Sequence, residues 1–328
     1  MTLTPSKFQH FSQLLLEWHA LHGRAFLWTT KHPYDVWLSE VMLQQTQVAT
    51  VVERFAAFKD VFPTINALAR ASVEDVLAQW SGLGYYRRAR NLHSCAQQLV
   101  VWIEEHGDWP KDSDIWISFP GVGRSTANAI VSACFDKIEP ILDANAKRVL
   151  LRFAGDLEAS EKEAWAYAAL AMDVKPEQAA AYTQAIMDLG ATVCTARKAM
   201  CTQCPLNANC RSVGWVRTSN ALKKAANPEI IYDWVRCQKG DRVLMQQRDE
   251  SSFWPALWVF PDTSDRFLLD SGVNADVKTH KLSHRTLHLT LRSASEVTHL
   301  HANERWVLIN DVIERRLPAP APVASWLD

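Results

Sequence analysis

Residues 119–127 read Phe119-Pro120-Gly121-Val122-Gly123-Arg124-Ser125-Thr126-Ala127. Two glycines this close together allow a tight turn with backbone N–H groups facing outward. A helix begins at once behind it, so the positive end of the helix dipole faces the same surface. Such a surface binds a phosphate without cationic side chains. Taken alone, Pro-Gly-Val-Gly is also an ordinary loop. Here it is followed by Asn128-Ala129-Ile130 and, twenty residues after Gly123, by Asp143 in Pro140-Ile141-Leu142-Asp143-Ala144-Asn145-Ala146-Lys147. An acidic residue opening a helix reads, by itself, as an N-cap.

Around this stretch the pattern is helical. Apolar positions recur at helical spacing in Phe8–Leu21, Val36–Phe58, Val73–Trp80, Ala89–Glu105, Thr126–Cys134 and Ala164–Met172. Short Pro, Gly or polar segments separate them. Residues 216–228 are polar, end in Asn-Pro and read as a linker. Beyond it, Ile230–Val235 and Arg242–Gln247 read as strands flanking a hairpin turn at Lys239-Gly240-Asp241, with further strands at His288–Arg292 and Arg305–Ile309. Leu317-Pro318-Ala319-Pro320-Ala321-Pro322 reads as a stiff extended tail before a short final helix. The expected organisation is an all-α domain over 1–215, a linker over 216–228 and a smaller α/β domain over 229–328.

Composition excludes several classes. The 328 residues are too many for one typical domain and suit two. With 48% hydrophobic and 22% charged residues the chain builds a core and is not disordered. A net charge of −1 excludes a polybasic, histone-like binder, while leaving room for local basic patches. No apolar run reaches the length of a membrane span, and the polar residues Gln9, His10, Gln13 and Glu17 do not suit a signal peptide.

Of 7 cysteines, Cys95, Cys134 and Cys237 stand apart, while Cys194, Cys201, Cys204 and Cys210 fall in one short stretch. Four thiolates so close can converge on one inorganic centre, zinc or iron–sulfur. Zinc ribbons use two CxxC pairs with a long spacer, and only one CxxC is present, which favours a [4Fe–4S] cluster. Arg197, Lys198 and Arg211 beside the loop are either solvated or contact phosphate.

The cysteine spacing resembles the cluster loop of the endonuclease III/MutY branch of DNA glycosylases, and Phe119–Ala127 resembles its helix-hairpin-helix. Trp37-Leu38-Ser39-Glu40-Val41-Met42-Leu43-Gln44-Gln45-Thr46-Gln47-Val48 resembles the signature of the adenine-specific members. As a helix it sets Glu40 beside Val36 and Leu43, and a carboxylate among apolar neighbours has a raised pKa suited to proton donation. The resemblance implies a mainly α helix-hairpin-helix glycosylase fold with a [4Fe–4S] loop and a Nudix-like C-terminal domain. It implies removal of adenine mispaired with 8-oxoguanine or guanine in double-stranded DNA, by a monomer, in the bacterial cytoplasm at the nucleoid if the source is bacterial. Glu40 would protonate adenine and later activate water, and Asp143 would stabilise the cationic sugar. Ser125 stands where the lyase members carry a nucleophilic Lys, so strand cleavage is not expected; Lys147 could trap a Schiff base slowly.

The same resemblance assigns Arg24 and Trp28, with Ser125, to the adenine pocket. Gly121, Gly123 and Lys147 would meet the DNA backbone, and Gln45 and Thr46 the bases at the lesion. In Gly82-Leu83-Gly84-Tyr85-Tyr86-Arg87-Arg88-Ala89-Arg90, Tyr85 would stack and Leu83 fill space beside 8-oxoguanine, with Arg87, Arg88 and Arg90 as phosphate candidates. Leu282-Ser283-His284 stands where the family has Phe-Ser-His, which assigns Ser283 and His284 to lesion recognition. Asp262–Thr279 lacks the Glu-rich Nudix core, so no nucleotide hydrolysis is expected. Ala144 and Ala146 depart from the family's Gly and Val, which predicts a slightly altered loop. Two other readings stay open: a bifunctional endonuclease III-like lyase for oxidised pyrimidines, and a catalytically weak cluster-bearing damage binder. Glu40 and Ser125 oppose the first, Glu40 and Asp143 the second.

Overall fold

The computed structural model describes residues 8–214, 228–249, 251–282 and 285–327. Contacts divide the chain into two compact units, Met1–Ala69 with Ser94–Ser219, and Arg70–His93 with Asn220–Asp328. The excursion of 70–93 into the second unit differs from the boundary expected near 215. Nothing in its helical pattern signals which partner its buried face has.

The helices run α1 (Phe11–His22), α2 (Pro33–Leu43), α3 (Val48–Val61), α4 (Ile65–Arg70), α5 (Val73–Gln79), α6 (Arg87–His106), α7 (Ser113–Ile117), α8 (Arg124–Phe135), α9 (Ala144–Ala154), α10 (Glu161–Ala171) and α11 (Ala179–Thr192). In the first unit α1, α9, α10 and α11 enclose one core, with Phe11, Leu15, Leu150, Tyr167 and Leu189 buried. Phe11 meets Phe153 edge-on, ring centres 4.9 Å apart. Helix α11 carries no expectation from the sequence, yet it packs against α1, α8 and α9. Its Gly190 allows that closeness: a Cβ there would lie 2.6 Å from the Asn145 Cβ.

The single helix expected over Val36–Phe58 is two. The chain breaks between Leu43 and Val48, where Gln45 adopts φ 56°. Glutamine has no special tolerance for that conformation, so the pattern gives no warning of it. Helix α2 is buried nearly all round, from Pro33 to Met42.

In the second unit the strands are β1 (Glu229–Lys239), β2 (Arg242–Gln247), β3 (Trp258–Val259), β4 (Phe267–Leu269), β5 (Asp276–Lys281), β6 (Thr286–Val297) and β7 (Glu304–Leu308), followed by α12 (Ile309–Ile313) and α13 (Ala321–Ala324). The sheet order is β3-β2-β1-β6-β4, with β5 also on β6 and β7 on β2. β1 runs parallel to β6 from Glu229 to Cys237, then turns at Lys239–Arg242 into antiparallel β2, as the hairpin signal predicts. Trp234, Phe260 and Leu289 are buried in its core. Arg266 and Glu304 form a buried ion pair, with Nη1 2.7 Å from Oε2. Burial works to raise the Glu304 carboxyl, but Arg266 outweighs it and holds it below the usual range. Helix α5 joins this unit through Glu74, whose Oε1 accepts from Trp258 Nε1 at 2.8 Å and from Arg305 Nη2 at 3.2 Å.

Candidate active site

The first unit contains a cavity of about 310 Å³, within the range of ligand pockets. Three helices and one loop build it. Helix α2 offers Val36, Ser39 and Glu40, α8 offers Ala129 and Ala133, and α11 offers Ala180, Thr183, Gln184 and Met187, which recur along one helical face. Trp28 closes the loop side, stacked on Phe26 at 4.7 Å and edge-on to Phe55 at 5.2 Å.

Among the described residues, Glu40 is the one carboxylate on these walls. Burial, and next the charge of Asp143, push its pKa from 4.5 up to about 8. It therefore holds its proton near neutral pH, as the apolar helix pattern predicts.

Asp143 is half-buried and caps α9, its Oδ1 accepting from the Ala146 N–H at 2.7 Å. Its Oδ2 accepts from Asn145 Nδ2 at 3.2 Å. The N-cap reading of Asp143 thus holds, and both of its carboxylate oxygens are engaged. Ala144 and Ala146 sit in helical backbone, so neither needs a glycine's freedom.

A ladder on α8 holds the segment leading to Asp143. Leu142 N–H donates to Ser125 Oγ at 3.1 Å, Asn128 Nδ2 donates to Pro140 O at 2.7 Å, and Ser132 Oγ donates to Glu139 O at 3.0 Å. Ser125 therefore braces the Asp143 segment and does not line the cavity, contrary to its assignment to the pocket. Nothing in the sequence marks Asn128 or Ser132; only the tertiary contact with residues 139–140 gives them a role.

Arg24 also lies off the cavity walls. Its guanidinium grips buried Asp188, with Nη2 2.7 Å and Nε 3.0 Å from Oδ1. Burial works to raise the Asp188 carboxyl, but His19 and Arg24 outweigh it and hold it low. Gln184 Nε2 donates to the same Oδ1 at 3.0 Å. A carboxylate only accepts, so the Gln184 amide must turn its nitrogen to Asp188, leaving its oxygen to accept from a pocket ligand. Arg24 thus acts on the pocket through Asp188. The sequence offers no signal for Gln184, because α11 is not marked as a pocket wall.

At the hairpin, Gly121 has φ 79°, which a glycine supplies without strain, and Gly123 is the N-cap of α8. Among the described residues no side chain caps that helix. Gln45, exposed, and Thr46 lie in the break between α2 and α3. Lys147 Nζ pairs with Glu161 Oε2 at 2.6 Å in an exposed contact.

In the second unit, Tyr85 is 41% exposed whereas Leu83 is 4% exposed. Leu83 packs inside and is not presented, which corrects its assignment as a space-filling wedge. Arg87 is exposed. Arg88 is buried, donates to Leu83 O and Gly84 O at 3.0 and 3.2 Å, and is pushed down to about 10 by that burial. Arg90 donates to Pro255 O. Arg88 and Arg90 thus brace loops and are not free for phosphate. Ser283 and His284 lie outside the described residues.

Cys194, Cys201, Cys204 and Cys210 line one small cavity with Arg152 and Met200. Among the described residues no three cysteine, histidine or acidic groups converge on a single-ion site. Four cysteine sulfurs around one small space are a donor set that fits a [4Fe–4S] cluster, in which each iron takes one sulfur. Helix α9 reaches this loop. Arg152 Nη1 donates to Thr195 O at 2.8 Å, and Arg148 donates to Cys194 O at 2.8 Å and Asn145 Oδ1 at 2.7 Å. Asn145 also holds Asp143, so the cysteine loop and Asp143 share one hydrogen-bonded chain.

Residues 38–170 match the profile of the HhH-GPD superfamily base excision DNA repair proteins. The adenine DNA glycosylase of Buchnera aphidicola subsp. Schizaphis graminum is 34% identical over 301 residues, 85% of this chain and 86% of its own length. The Mus musculus adenine DNA glycosylase is 36% identical over 78% of this chain and 52% of its own. Among solved structures, a thermostable thymine-DNA glycosylase superposes with a TM-score of 0.57 at 24% identity, over 63% of this chain and 96% of that one, a likeness of fold.

Proposed function

This chain belongs to the adenine DNA glycosylases of the HhH-GPD base-excision repair superfamily, and on that premise we propose that it hydrolyses adenine from mispairs with 8-oxoguanine or guanine and leaves the strand intact. The observation that carries the reading is the carboxyl of Glu40 on the cavity wall, whose pKa burial, and next the charge of Asp143, raise. The target base must leave the stack to reach such a cavity. Glu40 gives its proton to adenine N7, and the C1′–N9 bond breaks with its electron pair going to the purine. Asp143, an acceptor held by Ala146 and Asn145, faces the developing positive charge on the sugar. Water then adds to C1′, and its proton returns to Glu40. The Gln184 oxygen accepts from the exocyclic amine of adenine. Ser125 brings no amine to C1′, which is why the proposal ends at base removal.

We assign to Cys194, Cys201, Cys204 and Cys210 a [4Fe–4S] cluster, which when bound cross-links the loop that braces α9. Iron and acid-labile sulfide in equal amounts, without zinc, are the expected analysis. We assign reading of the opposite base to the second unit, a Nudix-like domain, because exposed Tyr85 belongs to it.

The decisive experiment offers duplexes with adenine opposite 8-oxoguanine or guanine, or with an oxidised pyrimidine, with and without alkali. Alkali-dependent breaks at adenine alone are expected. Breaks without alkali would make the protein a lyase, and binding without base loss a damage binder.

A further inference from the structure

The turn before α6 has a costly backbone. Gly82, Gly84 and Tyr85 have φ of 94°, 68° and 47°. A tyrosine stays in that region only where its surroundings enforce it. Part of the enforcement is local: Trp80 Nε1 donates to Gly84 O at 3.1 Å, beside the Arg88 contacts already described. The rest comes from the far end of the chain. Ser81 Oγ donates to Ala319 O at 2.9 Å, and Tyr86 Oη donates to the same carbonyl at 3.3 Å. Gln79 Nε2 reaches Arg315 O at 3.3 Å.

The tail that offers these carbonyls is built to hold them still. Pro318, Pro320 and Pro322 each fix a backbone torsion. Leu317, Ala319 and Val323 are buried. Trp258 N–H of β3 donates to Pro318 O at 2.8 Å. One side of the tail is thus tied to the sheet, and the other grips the residues on either side of the turn.

We propose that residues 317–320 are a positioning strap for the turn, with the Ala319 carbonyl as its contact, and that the tail thereby sets discrimination of the base opposite the excised adenine. The proposal rests on the assignment of Tyr85 to that base. Ser81 and Tyr86 are positioning residues in it; neither needs to touch DNA.

The test combines Ser81→Ala/Tyr86→Phe, which removes both donors, with Pro318→Ala/Pro320→Ala, which slackens the tail and leaves the turn unchanged. The single variants substitute wherever a pair fails to fold. Each is assayed in the full chain for single-turnover excision opposite 8-oxoguanine and opposite guanine, and for amide exchange over residues 82–86. Loss of two buried hydrogen bonds should lower the 8-oxoguanine-to-guanine rate ratio about tenfold, with the rate opposite guanine little changed and exchange over the turn accelerated. Unchanged exchange in both variants would overturn the strap. Tyr85→Ala tests the underlying assignment separately. If exchange accelerates but neither it nor Tyr85→Ala moves the ratio, the reading of Tyr85 fails, and discrimination by the tail with it. If Tyr85→Ala lowers the ratio and the strap variants do not, the strap alone is overturned.

Discussion

Glu40 shows how one residue's chemistry follows from its neighbours. Its helix is buried on nearly every side, so burial raises the carboxyl's pKa, and Asp143 adds like charge. Glu40→Gln should keep the shape and lower excision by at least a hundredfold, on the order of what general acids supply, while binding persists. For the wild type, excision should decline as pH rises through about 8 and the proton is lost. The same shift makes a stability prediction. The folded value lies above the ordinary 4.5, so the stability Glu40 contributes is full below 4.5 and is lost as pH rises toward about 8. Melting curves across that window should show wild type losing ground to Glu40→Gln. Asn128→Ala should leave Pro140 O without its donor, costing about 1–3 kcal/mol, and should lower excision more than substrate binding as Asp143 drifts.

Among the elements, the sequence is most legible where one helix or strand explains its own pattern. Helix α8, helix α10, the β1–β2 hairpin and the extended tail fall where periodicity and turn residues put them. The break at Gln45 and the pocket wall on α11 do not. Gln45 pays for a left-handed backbone that no local code announces, and α11 has small and polar residues on the face that becomes a wall. Gly190 is a second case, because its need appears only when α9 lies against it. Gly190→Ala would bring a Cβ to 2.6 Å from Asn145 Cβ. We expect a loss of about 1–3 kcal/mol from such overpacking, and slower excision because α9 carries Asp143. A thermal melt with single-turnover kinetics checks both.

Across the whole molecule, the division into units does not follow the chain. Residues 70–93 fall inside the helical unit in sequence but leave it in contact, and their side chains meet Ala319, Pro255, Trp258 and Arg305. A chain stopped at 215 would strip these partners from Glu74, Ser81 and Tyr86. Amide exchange over 71–93 should accelerate in that fragment relative to the full chain, whereas the core around Phe11 and Leu189 should stay protected.

The sequence by itself determined the helical class, the tight glycine hairpin before α8, the four-cysteine loop and the place of Glu40 on a helix with apolar neighbours. Each is encoded by short spacings within one element or by a motif at fixed offsets. Only the tertiary structure decided that Ser125 and Arg24 act behind the pocket, that Leu83 is buried, and that Gln184 and Asn128 serve the site. These roles depend on contacts between residues far apart in the chain, and a contact made by packing leaves no periodicity in the segment that makes it.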